Sequence, residues 1–406
     1  MDKIPFKPAD ILLPMGDFEK WSVIACDQFT SDRKYWEETR EVVGDANSTL
    51  KITLPEIYLE DGDTDKRIAD INAEMNRYLS EGIFKEYKDA VIYIERTQPD
   101  GRIRKGIIGA VDLEAYDYRK GSKTLIRATE GTVRERLPPR VEIRKDAPLE
   151  LPHIMLLIDD IKKTVIEPLA DQKDCFIKLY DFDLMMGGGH ITGYLIDKAN
   201  IEKIERSLAN LCESNDEPFL FAVGDGNHSL ATAKECYELN KKLYSISDNH
   251  PSRYALAEIG NIHSSALDFE PIYRVVFGVD PEDVVRDLGK FFTGENANSR
   301  ITYVYGNKKG TVNVYIPDDK LSTGVVQDFI DFYVMNHPGA KVDYIHGIQH
   351  TEELSRQPDT IGFIYDGISK DTLFESVKAT GALPRKTFSM GESRDKRYYL
   401  ECRKIK

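Results

Sequence analysis

The stretch from Pro218 to Tyr237 limits what this chain can fold into more than any other. Pro218-Phe219-Leu220-Phe221-Ala222-Val223 is a short apolar run bounded by polar residues and proline, the pattern of a buried strand. Leu230, Ala233 and Tyr237 then recur at helical spacing among good helix formers. Gly224-Asp225-Gly226-Asn227-His228-Ser229 is therefore a strand-to-helix turn, and Asp225, Asn227 or Ser229 is placed to cap the helix. Two glycines permit a sharp turn and a close ligand approach. The free N–H groups and positive dipole end of a helix favour an anion such as phosphate. Asp225 adds a metal ligand and His228 a proton carrier. The competing reading is a capped turn whose polar residues satisfy only backbone groups.

Other segments extend the pattern. Trp21 to Ala25 reads as a strand that runs into Cys26-Asp27-Gln28, with a helix after it that Thr30, Ser31 or Asp32 caps. Asp27 and Gln28 thus stand at a strand end, a common place for ligand contacts in mixed sheets. Ile68, Ile71, Met75, Tyr78 and Leu79 mark a helix near 64–81 that stops before Gly82. Strands at 90–96 and 106–116 flank the turn Pro99-Asp100-Gly101. Leu125 to Arg140 crowds charges of both signs beside a double proline, either a ligand-facing loop or a solvated one. His153, inside the apolar run Leu151–Ile158, reads as a satisfied core histidine. Met185 to His190, with three glycines, joins two strands as a flexible hairpin and matches no phosphate-loop pattern.

These elements predict an α+β fold, a mixed sheet with packed helices. Residues 1–270 form the main lobe, 271–380 a smaller second α+β lobe, and 381–406 a segment that returns to the main lobe. A net charge of −14 argues against bulk nucleic-acid binding and against an anionic membrane surface. No run of eighteen apolar residues is present, and the N-terminus is no signal peptide. Five scattered cysteines without a C-x-x-C pair fit a reduced cytoplasm, with neither a zinc site nor a disulfide framework.

Four stretches together resemble domain-of-unknown-function family 1015. Asp225, Gly226, His228, Thr232 and Ala233 match a family pattern like A-D-G-H-H-R-x-x-T-A, with Asn227 and Ser229 where His and Arg are usual. Arg127, Glu130 and Thr132 match a pattern like R-P-H-E-x-T. Pro271-Ile272-Tyr273-Arg274 is similar to P-x-H-R. Leu383, Pro384, Lys386, Thr387 and Phe388 fit a pattern like L-M-P-P-K-S-T-x-F, with Arg385 in place of a proline. The central turn is also similar to that of the ParB/sulfiredoxin superfamily, which includes free-serine kinases.

The resemblance implies a phosphotransferase or kinase acting on a small hydroxylated metabolite, with free serine or phosphoserine leading. ATP or ADP and Mg²⁺ are the implied cofactors. Gly226, Asn227 and Ser229 would hold phosphate through their amides. Because Ser229 replaces the usual arginine, Arg127, Arg134 or Lys386, with Thr387, would supply the charge. Asp225 would hold Mg²⁺, and His228, Glu130 or Asp27 would take the hydroxyl proton. The partners expected are the nucleotide and a small substrate, with a homo-oligomer compatible. A non-catalytic nucleotide switch or scaffold, or a hydrolase of a small phosphorylated metabolite, remain alternatives.

Overall fold

The computed structural model describes residues 4–132, 137–151, 153–213, 217–292, 295–318 and 320–406. Arg134, one of the expected phosphate ligands, lies outside them. The chain divides into two compact units, Met1–Leu267 with Gly391–Lys406, and Asp268–Met390.

The first unit is built on a mixed sheet. Its main strands are β1 (Ile92–Thr97), β2 (Ile103–Asp112), β3 (Ile126–Ala128), β4 (Met155–Ile158), β5 (Ile177–Asp183), β6 (His190–Leu195), β7 (Phe221–Asp225) and β8 (Tyr254–Asn261). Their order across the sheet is β5-β6-β1-β2-β8-β4-β7-β3, with Tyr116–Asp117 at the far edge. The half from β5 to β8 is antiparallel. Beyond it β8 and β4 are parallel, β4 and β7 antiparallel, and β7 and β3 parallel. This is the α+β architecture read from the sequence.

Strand alternation divides the apolar side chains between the two faces. Ile92, Ile94, Ile108, Ala110 and Leu256 join one core with Trp21, Trp36, Met75 and Tyr78, beneath helices α1 (Arg33–Val43) and α2 (Thr64–Ser80). Tyr93, Ile107, Val111, Ala255 and Ala257 join the other with Ile201, Ile204, Leu208, Leu230 and Tyr237. Those last residues belong to helices α3 (Lys198–Glu213) and α4 (Asn227–Tyr244). The Asp32 side chain caps α1 by accepting the Tyr35 N–H. Trp21 ends a short helix, Phe18–Trp21, and the strand expected there shrinks to Val23–Ile24 because it pairs only with Tyr398–Tyr399. The hairpin between β5 and β6 is pinned: Arg96 donates to the Gly188 carbonyl (3.0 Å) and the Tyr398 hydroxyl to the Met185 carbonyl (3.0 Å).

The second unit carries a six-stranded sheet whose main path is β9 (Phe269–Phe277), β10 (Ser299–Tyr305), β11 (Lys308–Val314), β12 (Lys341–His346) and β13 (Thr360–Ile364), in the order β11-β10-β13-β9-β12. Helices α5 (Pro281–Phe291) and α6 (Ser322–Asn336) pack on it through Val284, Leu288, Phe329, Ile330 and Tyr333. Phe388–Met390 pairs with Phe269–Pro271, so 381–390 belongs to this unit and only the chain after it returns to the first. No helix among the described residues is long and apolar enough to cross a membrane.

Candidate active site

A single residue, Gly226, joins β7 to α4. Its φ of +79° is left-handed, and a Cβ there would lie 3.0 Å from the Ile154 Cα. Glycine is required on both counts, conformation and close approach. The N-cap residue is Gly226 itself, which has no side chain to cap the helix, so none of the three expected capping residues stands at that position. Asp225 Oδ1 instead accepts the Gly226 N–H (2.9 Å). The first turn of α4 thus starts from a glycine, and a helix N-terminus is an arrangement that suits an anion. Thr129 donates its hydroxyl to the Val223 carbonyl (2.6 Å) and receives the Asn227 side-chain amide (3.3 Å). Two of the resembling motifs thus meet at the turn, and Glu130, half-buried, follows Thr129 directly.

Two carboxylate–cation pairs flank the turn. Asp225 faces Lys396 at 3.5 Å and Asp27 faces His153 at 3.4 Å. The pairs sense one another, since the Asp27 carboxyl also feels Lys396 and the His153 ring feels Asp225. Burial by itself would raise the Asp27 carboxyl. The charge of His153, hydrogen bonds from His153 and Gln28, and the charge of Lys396 outweigh burial and hold it well below the usual carboxylate range. Burial would likewise lower the His153 imidazole, but the charge and hydrogen bond of Asp27, then Asp225 and Glu56, raise it. Both directions describe the same ionised pair.

Behind it the Tyr399 hydroxyl contacts His153 Nδ1 (2.9 Å), accepts the Cys26 N–H (3.2 Å) and donates to the Cys26 Sγ (3.0 Å). Burial, then the Asp27 charge, pushes the Cys26 thiol up to about 12, so it stays protonated and is no nucleophile.

Buried arginines hold the segment that carries Lys396. Arg96 donates to the carbonyls of Arg394 (2.5 Å), Asp395 (3.3 Å) and Lys396, and Arg104 to that of Asp395 (2.7 Å). Arg104 and Arg397 share Glu258, at 3.1 and 2.9 Å, and Arg397 also pairs with Glu401 at 2.6 Å. Anchors of this kind on both sides of the residue leave the Lys396 ammonium a defined place beside Asp225.

Not every expected ligand is here. Arg127 is buried and turned to the opposite end of β7, where it pairs with Glu217 (2.7 Å), donates to the Thr124 and Pro218 carbonyls and covers the Phe219 ring. A guanidinium so occupied is structural. Lys386 and Thr387 belong to the second unit. Lys386 is exposed, and Thr387, fully buried, donates its hydroxyl to the Pro384 carbonyl (2.6 Å). The site in the first unit is built without them. His228 lies half-buried in the first turn of α4, its carbonyl accepting the Thr232 hydroxyl (2.7 Å).

His153, Lys396 and Tyr399 were not foreseen as site residues. His153 is the one the sequence exposed to view, standing just before an apolar strand; no local signal marked Lys396. Among the described residues no three His, Cys, Asp or Glu side chains gather as a metal site.

These features define a class: an α+β protein with a glycine-capped strand–turn–helix beside two carboxylate–cation pairs. The family model described as "Protein of unknown function (DUF1015)" matches residues 5–343, and the chain belongs to that family. No curated protein matches it. Among solved structures it is similar to a variant of a free serine kinase in complex with AMP, with 13% identity and a TM-score of 0.40, covering 73% of this chain and 91% of that one. A second variant of a free serine kinase, in complex with ADP, gives 12% identity and a TM-score of 0.40, covering 75% and 93%. A conserved hypothetical protein from Pyrococcus furiosus gives 11% and 0.35, covering 72% and 90%. A likeness of this size does not say which residues act.

Proposed function

We propose that this protein is a nucleotide-dependent phosphotransferase acting on a small hydroxylated metabolite, with free serine or phosphoserine the first acceptor to test. The observation that carries the reading is the glycine-capped N-terminus of α4 at Gly226, with the Lys396 ammonium 3.5 Å from the Asp225 carboxylate that precedes it. Phosphoryl transfer asks the protein for positioning and charge neutralisation rather than covalent chemistry. Here the amides of Asn227 and Ser229 cradle phosphate oxygens, and Lys396 supplies the positive charge for which Arg127 and Lys386 were the sequence-based candidates. Asp225 is a carboxylate suited to Mg²⁺ together with the nucleotide's own oxygens. Bound there, Mg²⁺ would neutralise charge developing on the phosphates. Asp27, Glu130 and His228 remain the groups able to receive the acceptor hydroxyl.

The test is thermal shift with ATP, ADP and phosphoserine, each with Mg²⁺. A ligand at a hundredfold excess over its Kd should stabilise the protein by roughly 2.7 kcal/mol. No shift with any of the three removes the reading's support. A second reading, a nucleotide-binding switch without turnover, is favoured by one feature: Asp27 is committed to His153, which weakens it as a base. Tight nucleotide binding with no transferred phosphorus would select it.

A further inference from the structure

Among the charged groups around the turn, His153 takes no part in the phosphate site yet is paired with the Asp27 carboxylate. It is 7% exposed, and histidines buried this far are held at both ring nitrogens. Nε2 faces the Asp27 carboxylate, and Nδ1 meets the Tyr399 hydroxyl. That hydroxyl is filled: it accepts from the Cys26 N–H and donates to the Cys26 Sγ, so its remaining lone pair is met by an N–H at Nδ1. With Nδ1 carrying a proton toward Tyr399 and Nε2 turned to a carboxylate, the ring suits the doubly protonated form.

The order of groups runs outward from Tyr399 through His153 to Asp27, whose side chain is 29% exposed and is the only member of the three that reaches solvent to this degree. Asp27 is held at both oxygens, Oδ2 by His153 and Oδ1 by the Gln28 amide (2.9 Å). Cys26 and the Tyr399 strand are joined again where the Ala25 N–H meets the Arg397 carbonyl (3.0 Å). The charged and titratable groups around the ring are Asp27, Asp225 and Glu56, with Tyr399 behind; Lys396 acts on Asp27 from the other side.

We propose that His153 is a positioning residue, fixed by Tyr399, that holds Asp27 as an ionised, oriented carboxylate for the acceptor hydroxyl. The proposal rests on the phosphotransfer reading and deepens it. A carboxylate kept this firmly ionised accepts a hydrogen bond from the hydroxyl and aims it, which is what a loose phosphoryl-transfer transition state needs from the protein. The C-terminal segment then contributes twice: Lys396 to the phosphate and Tyr399, through His153, to the acceptor.

Two readouts test it. Histidine ring signals, with His153 assigned from the His153→Asn spectrum, give its titration directly. The wild-type midpoint should lie above the ordinary 6.5, and Asp27→Asn should bring it below 6.5, since burial remains and the anion is gone. Tyr399→Phe, the gentler change, should lower the midpoint less and reduce kcat roughly 10–100-fold with KM little changed. It should also move the alkaline limb of the pH–kcat profile to lower pH by the same interval as the midpoint. A wild-type midpoint at or below 6.5, or one indifferent to Asp27→Asn, overturns the proposal whatever the reaction. Active enzyme whose alkaline limb ignores Tyr399→Phe overturns it and leaves the phosphotransfer reading standing. A coupled pair in a protein that transfers no phosphoryl group overturns that reading, and the role of Asp27 toward the acceptor falls with it.

Discussion

The two units each gather a pair of the resembling motifs, and they use them in opposite ways. In the second unit Arg274, fully buried, donates to the carbonyls of Ile272 (2.5 Å), Arg385 (2.9 Å) and Lys386 (2.8 Å), to the Tyr365 hydroxyl (2.8 Å) and to Gln327 (3.1 Å). The motif residues there meet to close one another's hydrogen bonds. In the first unit the motifs meet at Thr129 and Asn227, but the helix starts from a glycine without a side chain and Asp225 and Asp27 keep partial exposure. A motif whose arginine is spent on carbonyls and hydroxyls inside the protein is a structural joint. One that leaves a helix terminus and carboxylates turned outward, with cations held behind them, has capacity left for a ligand. The difference lies in what each charge is paired with, and a motif's residue types do not report that.

The largest effect should separate the two kinds of motif. Asp225→Asn keeps the shape of the turn and removes the charge beside Lys396. It should lower phosphoryl transfer by something like 10²–10⁴-fold while shifting the urea midpoint little. Arg274→Met should do the reverse in kind, costing about 3–5 kcal/mol in chemical denaturation because it strands buried carbonyls. If Arg274→Met were as stable as wild type, the joint described for the second unit would be wrong.

Gly226→Ala should come next, at roughly 1–3 kcal/mol of strain from the positive φ, with a further loss of nucleotide affinity measured by calorimetry. The Cβ it adds presses on Ile154, whose neighbour His153 is itself part of the site. Unchanged affinity would mean that the ligand does not approach the turn.

The Asp27–His153 pair gives a pH signature. The folded carboxyl is depressed, so its contribution is present above the unfolded value near 3.8 and fades as pH falls. The folded imidazole is raised, so its contribution is present below the unfolded value near 6.5 and fades as pH climbs through the folded one. Wild type should therefore exceed Asp27→Asn in stability chiefly between those limits, and the gap should narrow at both ends of a pH series of melts. The smallest effect belongs to Lys386→Ala. An exposed lysine in the second unit should change stability by no more than about 0.5 kcal/mol, and turnover should be unaltered. A marked loss of activity would return Lys386 to the phosphate site.

Much of the framework was legible because it follows from periodicity. The apolar run ending at Val223, the glycines and the helical spacing of Leu230, Ala233 and Tyr237 define β7, its turn and α4 without tertiary information. The stripe from Ile68 to Leu79 was legible for the same reason. What periodicity cannot carry is the pairing of charges across the fold. Arg127 stands in a motif at the right distance in sequence, yet its strand runs parallel to β7 and its side chain finds Glu217 at the wrong end. His153 stands in an apolar run and reads as core; only the approach of Asp27 and Tyr399 from both ends of the chain gives it a charge. Lys396 is placed by Arg96 and Arg104 holding the backbone around it, a relation invisible to any local window.

Phosphorus NMR of the purified protein with Mg·ATP and free serine, run beside Asp225→Asn under the same conditions, tests phosphoryl transfer at the Gly226 turn. Wild type should convert the nucleotide and yield a new phosphomonoester signal, and Asp225→Asn should form it at least about a hundredfold more slowly. Equal product from both proteins would contradict the placement of the reaction at the Gly226 turn. No new phosphomonoester from wild type with any small hydroxylated acceptor tried would contradict the phosphotransfer reading itself.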